Sequence, residues 1–251
     1  MIPKIIHYCW FGGNPLPPLA QKCIKSWKKY CSDYEIVRWD ESNFDVNCNR
    51  YCQAMYEQKK WAFLTDYVRL KVVYEHGGIY LDTDVEIIKP LEKLLVNVAF
   101  MGLETTHNVA TGLGFAAEKR HWFVGENMKY YENWDSSCPI EICPIITTRL
   151  LEPYGIDCNN EEVQKCKDLT IYPVDFFCAK HTHTGQIHIT ANTYSIHHFD
   201  GSWNTKEERK KTQARWRRYH IERIKNAPKI LLRKMIGDDR VESFKRFLHR
   251  K

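Results

Sequence analysis

The feature that most constrains this chain lies between residues 61 and 88. A helix-like segment there leads through two glycines into the short apolar run Ile79-Tyr80-Leu81, and Asp82 and Asp84 follow directly. Carboxylates at the end of a buried strand are costly unless a positive group neutralises them. A divalent cation that carries a diphosphate would do so, and the block therefore predicts a cation site at the edge of a sheet.

The segments around this block alternate between strand-like and helix-like patterns. Residues 4–10 read as a buried strand, 19–30 show helical apolar spacing, and 34–39 alternate as a second strand. A strand, a helix and a strand at this spacing predict a right-handed βαβ unit with parallel strands. A helix is expected over residues 50–76, and Gly77 should end it because glycine accepts the left-handed cap geometry.

The rest of the chain fits the same α/β class, and 251 residues suffice for one such domain with a large core. Later strands are expected near residues 99–103, 112–117, 170–173 and 193–198, and helices over 120–134 and from residue 144. We therefore predict a Rossmann-type mixed, mainly parallel sheet flanked by helices over residues 1–204. A basic helical extension is expected over 205–251.

The charge is distributed unevenly between these two regions. Residues 205–251 hold 17 Lys+Arg and 6 Asp+Glu, whereas the preceding residues hold 20 and 25. Apolar residues at 230, 231, 235, 241, 244, 247 and 248 are interleaved with these cations. This composition is typical of an amphipathic segment on an anionic membrane surface, or of a solvated helix packed on the body. Nucleic acid is not an expected partner, because the extension lacks an aromatic stacking surface.

The ten cysteines do not indicate a disulfide framework. No basic region or apolar core of a secretory signal follows Met1, so we expect reduced thiols in a cytoplasmic protein. Their spacing does not fit a zinc site, and most should act as small apolar side chains. No apolar stretch approaches the roughly 20 residues that span a bilayer.

The residue types in the central block favour a hard cation. In an extended segment Asp82 and Asp84 would share one side, and paired carboxylates suit Mn²⁺ or Mg²⁺. Asp66 and Arg69, three apart on a helix, share a face and offer an acceptor and a forked donor. The alternatives are a solvated strand end for the acids and a local ion pair for Asp66 and Arg69.

Asp66-x2-Arg69 followed by Gly77-Gly78-Ile-Tyr80-Leu-Asp82-Thr-Asp84 resembles glycosyltransferase family 32, the DXD sugar-binding region enzymes. These include yeast mannosyltransferases and bacterial capsular polysaccharide enzymes, with the clostridial glucosylating toxins as distant relatives. The opening residues 2–12 and the late His197-His198-Phe-Asp-Gly-Ser-Trp203 are similar to the same family, which implies a GT-A-like fold.

The resemblance implies a role for each matching residue. Trp10 would stack on the nucleotide base, and Asp66 and Arg69 would hold the donor sugar. Asp82 would contact ribose or a metal-bound water and Asp84 would ligate the metal. The donor site would also include Gly78, Tyr80, Ser202 and Trp203. A Cys143-Pro144 stretch resembles a family Gly-Pro segment, but the cysteine replaces the glycine, so no role is assigned there.

A third metal ligand is expected from the two adjacent histidines. His198 is the prediction, because its His-x2-Gly spacing resembles the metal-binding loop of related retaining transferases. His197 remains an alternative, as does a packed histidine with no ligand role. Ser202 and Trp203 would cap the diphosphate through hydroxyl and indole donors, although Trp203 could instead anchor the next helix.

These inferences predict a metal-dependent retaining transferase that uses a nucleoside diphosphate sugar. We expect a UDP-hexose donor, galactose or glucose, and a lipid-linked oligosaccharide acceptor of capsule or surface polysaccharide synthesis. A cytoplasmic enzyme held peripherally at the inner membrane face would explain the basic extension. Two alternatives are a metal-dependent phosphohydrolase that uses the acid pair and a non-catalytic membrane or polyanion adaptor.

Overall fold

The computed structural model describes residues 1–201 and 204–236, with the backbone alone for 228–236. These residues fall into two compact units. The first comprises residues 1–182 and 187–201, and the second comprises 183–186 and 204–236. The domain boundary at residue 204 stays a prediction.

The amino-terminal strands of the first unit form the predicted parallel arrangement. Strand β1 (Ile5–Cys9) is followed by helix α1 (Pro18–Tyr30) and strand β2 (Glu35–Trp39), and β1 pairs in parallel with β2. Strand β3 (Gly78–Tyr80) pairs in parallel with the other edge of β1. The parallel βαβ unit is confirmed, and it places the residues that follow β3 next to the end of β1.

The same sheet continues with strands of both directions. These are β5 (Ala99–Leu103), β6 (Val109–Ala110), β7 (Phe115–Ala117), β8 (Gln164–Cys166) and β9 (Leu169–Tyr172). The strand order is β2-β1-β3-β7-β5-β9-β8, with β6 paired to β5. Strand β7 runs antiparallel to both β3 and β5, whereas β9 runs parallel to β5.

A separate two-stranded sheet lies beside the acid pair. Strand β4 (Val85–Ile87) follows the acids directly and pairs antiparallel with β10 (Ser195–His197). In this register His197 lies opposite Val85. The late histidines are therefore brought next to the central acids although more than a hundred residues separate them.

Helices cover both faces of the main sheet. They are α2 (Arg50–Glu57), α3 (Trp61–His76), α4 (Trp122–Glu132), α5 (Cys143–Leu151) and α6 (Val174–Phe177), with 3₁₀ turns at Glu92–Leu94 and Glu152–Tyr154. The single helix predicted over 50–76 is two helices. Lys59 has a φ of 55°, a left-handed conformation that ends α2.

The side chains of the central strands alternate between two apolar clusters. Tyr80 and Phe115 pack in one cluster with helix α3, while Ile79 and Ala116 pack in the other with helix α1. Strands buried on both faces are typical of a sheet covered by helices on either side. The predicted α/β fold, a mixed sheet flanked by helices, is confirmed.

The second unit contains the long helix α7 (Lys206–Ile236). Thr205 begins it, because its hydroxyl accepts the backbone N–H of Glu208 at 3.2 Å and the Glu208 carboxylate accepts the backbone N–H of Thr205 at 2.8 Å. Ile224 on this helix is 73% exposed. The apolar positions predicted at residues 230–248 lie outside the described side chains. Among the helices the structure describes, none has the length and apolar character needed to cross a membrane.

Candidate active site

The acid pair sits in a tight turn at the end of β3. The backbone N–H of Val85 donates to the carbonyl of Asp82 at 3.0 Å, and the N–H of Asp82 donates to the carbonyl of Gly112 at 2.9 Å. The extended conformation expected for Asp82 and Asp84 is therefore wrong. The two carboxylates converge for another reason, because the turn folds Asp84 back beside Asp82.

Asp82, Asp84 and His197 form a compact cluster of potential metal ligands. One ligand atom from each lies within 4.8 Å of the others. The Nε2 of His197 is 3.2 Å from Oδ1 of Asp84, and its Nδ1 is buried with no hydrogen-bond partner among the described residues. Two carboxylates and one imidazole suit Mn²⁺, or Mg²⁺ through the carboxylates. The donor set therefore fits the expected cation.

His198 points away from this cluster. Its Nε2 is 2.8 Å from Oε2 of Glu86, and the same carboxylate oxygen accepts a hydrogen bond from Nζ of Lys22 at 2.7 Å. Successive side chains at a strand end point to opposite sides, so only one of two adjacent histidines can face the acids. The geometry does not place His198 beside the acids, as expected for the third ligand; His197 lies there instead, and the identity of the metal-binding histidine stays a prediction.

The charge of Asp84 is well stabilised. Burial alone would raise the pKa of its carboxyl group, but the charge of His197, the hydrogen bond from that ring and the N–H of Asp200 lower it to about 2. The Asp200 N–H donates to Oδ2 of Asp84 at 2.8 Å. Asp84 is therefore an anion throughout the physiological pH range, as a metal ligand must be.

Arg69 lies between the carboxylates of Asp66 and Asp82. Its Nη2 is 3.2 Å from Oδ1 of Asp66 and 3.3 Å from Oδ1 of Asp82, and its guanidinium lies 5.1 Å from the ring centroid of Tyr80. The Tyr80 hydroxyl donates to the same Asp82 oxygen at 3.1 Å. Arg69 is only 4% exposed. The helix residues and the strand-end residues predicted to act together are thus in contact.

The net pKa shift of Asp66 is in the opposite direction. Burial raises the pKa of this carboxyl group to about 6, against the charge of Arg69 and hydrogen bonds from Cys143. Cys143 is the first residue of α5, and its Sγ lies 3.5 Å from Nη1 of Arg69. The amino-terminal end of α5 therefore faces Asp66, where the helix dipole favours the anion.

Sequence reasoning missed the loop that covers this ion-pair network. A Cβ added to Gly112 would lie 2.1 Å from Oδ2 of Asp82 and 3.1 Å from Nη1 of Arg69. The preceding Thr111 is buried, and Nη1 of Arg69 donates to its Oγ1 at 3.4 Å. Glycine in the segment Thr111-Gly112-Leu-Gly was the available signal, since close backbone approach is a common reason for it.

Other predicted site residues stay predictions. Trp10 follows β1, and its indole N–H donates to the carbonyl of Asn14 at 2.6 Å within the next turn. Gly78 has a φ of 105°, and a Cβ there would lie 2.7 Å from the carbonyl oxygen of Ile5. Its place in the sheet thus requires glycine. Ser202 and Trp203 lie outside the described residues.

Comparisons with known proteins cover part of the region that builds this site. Residues 17–101 match the model of the family described as "Glycosyltransferase sugar-binding region containing DXD motif". A segment is 33% identical over 128 residues to inositol phosphoceramide mannosyltransferase 3 of Schizosaccharomyces pombe, covering 49% of this chain and 35% of that protein. Human lactosylceramide 4-alpha-galactosyltransferase is 29% identical over 129 residues, covering 50% of this chain and 35% of that protein.

The solved PaToxG glycosyltransferase is 17% identical, with a TM-score of 0.46 over 61% of this chain and 68% of that one. The chain spans about a third of the length of the two curated relatives, with 35% of each covered. The matched segment contains Asp66, Arg69, Asp82 and Asp84. Residues 17–101 of this chain are therefore similar to the sugar-binding region of glycosyltransferases that carry a DXD motif.

Proposed function

We propose that this protein transfers a hexose from a nucleoside diphosphate sugar to a carbohydrate hydroxyl, with a divalent cation bound by Asp82, Asp84 and His197. The observation that carries the proposal is the convergence of these three side chains beside the Asp66–Arg69 pair, with every member except His197 inside the segment that matches the family model. A bound Mn²⁺ would neutralise the negative charge that grows on the diphosphate as the glycosidic bond breaks.

Other residues of the site would bind the sugar, the base and the diphosphate of the donor. Asp66 and Arg69 would hold the hydroxyl groups of the donor sugar, because a carboxylate accepts and a guanidinium donates in fixed directions. Tyr80 fixes Asp82 through its hydroxyl group. We propose Trp10 for the nucleotide base and Ser202 with Trp203 for the diphosphate, as the family resemblance implies.

We propose UDP-galactose or UDP-glucose as the donor and retention of the anomeric configuration. The two curated relatives are named for transfer to inositol phosphoceramide and to lactosylceramide, which supports a lipid-linked acceptor here. A role in capsule or surface polysaccharide synthesis is compatible with such an acceptor.

A lipid-linked acceptor gives the basic helix α7 a function. Its first half presents cations at Arg209, Lys210, Lys211, Arg217 and Arg218, all on exposed or half-exposed positions. Each basic residue near an anionic bilayer contributes on the order of 1 kcal/mol of binding free energy. We propose that this extension holds the enzyme at the cytoplasmic membrane surface, where the acceptor is found.

The test is release of nucleoside diphosphate from a panel of UDP- and GDP-sugars, with octyl lactoside as a trial acceptor. We expect release from one donor with MnCl₂, loss of release with EDTA, and at least a hundredfold loss in Asp84→Asn. Asp33→Asn is the matched control, because Asp33 pairs with Lys4 on the exposed surface. Release that is equal in EDTA, or equal in Asp84→Asn, would contradict the proposal.

A further inference from the structure

We propose that Lys180 binds the diphosphate of the sugar nucleotide and is a determinant of affinity for that group. This inference rests on the proposed function, since it names a further residue of the same site. Lys180 lies between α6 and β10, in a part of the chain where the sequence pattern gave no functional signal.

The backbone places Lys180 beside the small sheet that carries His197. Cys178 forms a β-bridge with Ile196 of β10, and Lys180 forms another with Ile187. The Nζ of Lys180 donates to the carbonyl oxygen of His198 at 2.7 Å, and the N–H of His198 donates to the carbonyl of Asp84 at 3.0 Å. Two successive hydrogen bonds therefore connect the ammonium group to the backbone of a proposed metal ligand.

The electrostatic surroundings of Lys180 also involve the site. Burial lowers the pKa of its ammonium group, and the carboxylates of Asp84 and Asp200 oppose that shift. These two acids are thus near enough to stabilise the charge of Lys180. A half-buried cation at the edge of a metal site suits a ligand that brings several negative charges at once.

In the described part of the chain, two further cations near the acids pair with carboxylates. Arg69 bonds Asp66 and Asp82, and Lys22 bonds Glu86. One divalent cation leaves part of the charge of a metal-bound nucleoside diphosphate uncompensated. An ammonium group acts as a point charge with three donors, so its position beside the His198 carbonyl suits contact with a phosphate oxygen.

A purely structural role would be to hold the His198 carbonyl, and the variants are chosen to separate the two roles. Lys180→Gln keeps a donor for that carbonyl and removes the charge, whereas Lys180→Arg keeps the charge. Lys22→Met is the matched control, because it removes a different lysine that is bonded to the same small sheet at Glu86. Thermal melts of every variant report whether the fold is retained.

The measurement is the dissociation constant of UDP and of uridine with Mn²⁺, by ligand-observed NMR or calorimetry. We expect Lys180→Gln to raise the dissociation constant of UDP at least tenfold and that of uridine less than twofold. Lys180→Arg should give values closer to those of the wild type. Equal weakening of both ligands, or none, would overturn the assignment of Lys180 while leaving the proposed function in place. Failure of the wild type to bind either UDP or GDP with Mn²⁺ would overturn both.

Discussion

The Nη2 atom of Arg69 lies 3.3 Å from Oδ1 of Asp82, and this contact joins helix α3 to the turn that follows β3. The same nitrogen lies 3.2 Å from Oδ1 of Asp66. One buried guanidinium therefore pairs with the buried carboxylate of Asp66 and the half-buried carboxylate of Asp82, and a cation bound at Asp82 would supply further positive charge. We therefore expect opposite effects on the free energy of unfolding when the Asp66 carboxylate or the Arg69 guanidinium is replaced.

Asp66→Asn is expected to leave the free energy of unfolding at pH 7 unchanged or raised. The pKa of Asp66 is raised from 3.8 to about 6 in the folded state, so stability falls as the pH rises through this interval, and the full loss is present at pH 7. Arg69→Met should instead lower the free energy of unfolding by about 3–5 kcal/mol, because it removes the only cation that the structure shows in contact with the buried carboxylate of Asp66 among the described residues. Urea titrations of both variants without metal test this, and a larger loss in Asp66→Asn would contradict it.

Substitutions of the two adjacent histidines should differ in their effect on Mn²⁺-dependent UDP affinity. His197→Ala removes a donor from the cluster of Asp82 and Asp84, and we expect Mn²⁺-dependent UDP affinity to fall by about tenfold or more. His198→Ala removes a partner of Glu86 and should change that affinity less than threefold. Calorimetry of UDP with Mn²⁺ measures both. A larger effect of His198→Ala would restore His198 as the ligand.

Gly112→Ala should disable the site through a steric clash. The added Cβ would lie 2.1 Å from Oδ2 of Asp82, so the carboxylate or the loop must move. We expect loss of metal-dependent UDP binding. Gly155→Ala is the control, because its Cβ meets nothing within 4 Å although its φ of 76° is strained. It should cost about 1 kcal/mol of stability and leave binding intact. Normal UDP binding by Gly112→Ala would show that the loop is not part of the site.

His7 makes the stability of the fold sensitive to mild acid. The indole N–H of Trp39 donates to Nδ1 of His7 at 3.1 Å, so Nδ1 is an acceptor and Nε2 must donate to the carbonyl of Gly77 at 2.8 Å. This arrangement needs the neutral ring. Burial lowers the pKa of His7 to about 4, against the hydrogen bond to Gly77.

Because the folded pKa lies below the unfolded value of about 6.5, the contribution of His7 is complete above pH 6.5 and is lost as the pH falls towards 4. The loss is on the order of 3 kcal/mol, at about 1.4 kcal/mol for each pH unit. His7→Gln removes the titration. The difference in unfolding free energy between wild type and variant should shrink from pH 7 to pH 4, and a constant difference would contradict the account.

Much of the site could be predicted from the sequence because its elements are local. Asp66 and Arg69 are three apart on one helix, and Asp82 and Asp84 follow a strand that two glycines introduce. Helix periodicity, a glycine stop and a short apolar run are signals carried by neighbouring residues. The conformation predicted for the acid pair was wrong, because a backbone turn and an extended strand end can have the same local composition.

The contributions of Gly112, Cys143 and Lys180 depend on tertiary contacts. Gly112 lies between β6 and β7, Cys143 begins α5, and Lys180 lies between α6 and β10, so residues far apart in the sequence meet near the acids. The choice between His197 and His198 depends on the register of β10, because a shift of one residue exchanges their directions. A pattern within one segment does not determine that register.

The most direct test of the central claim is isothermal titration of UDP into the purified protein, with Mn²⁺ and then with EDTA. We predict binding by the wild type with Mn²⁺ and none with EDTA, and no binding by Asp84→Asn with Mn²⁺. The Asp33→Asn control should match the wild type. Equal binding with EDTA, or binding by Asp84→Asn equal to wild type, would contradict a donor site built on the acid cluster. Absence of binding by the wild type, for UDP and for GDP, would contradict the proposed sugar nucleotide function itself.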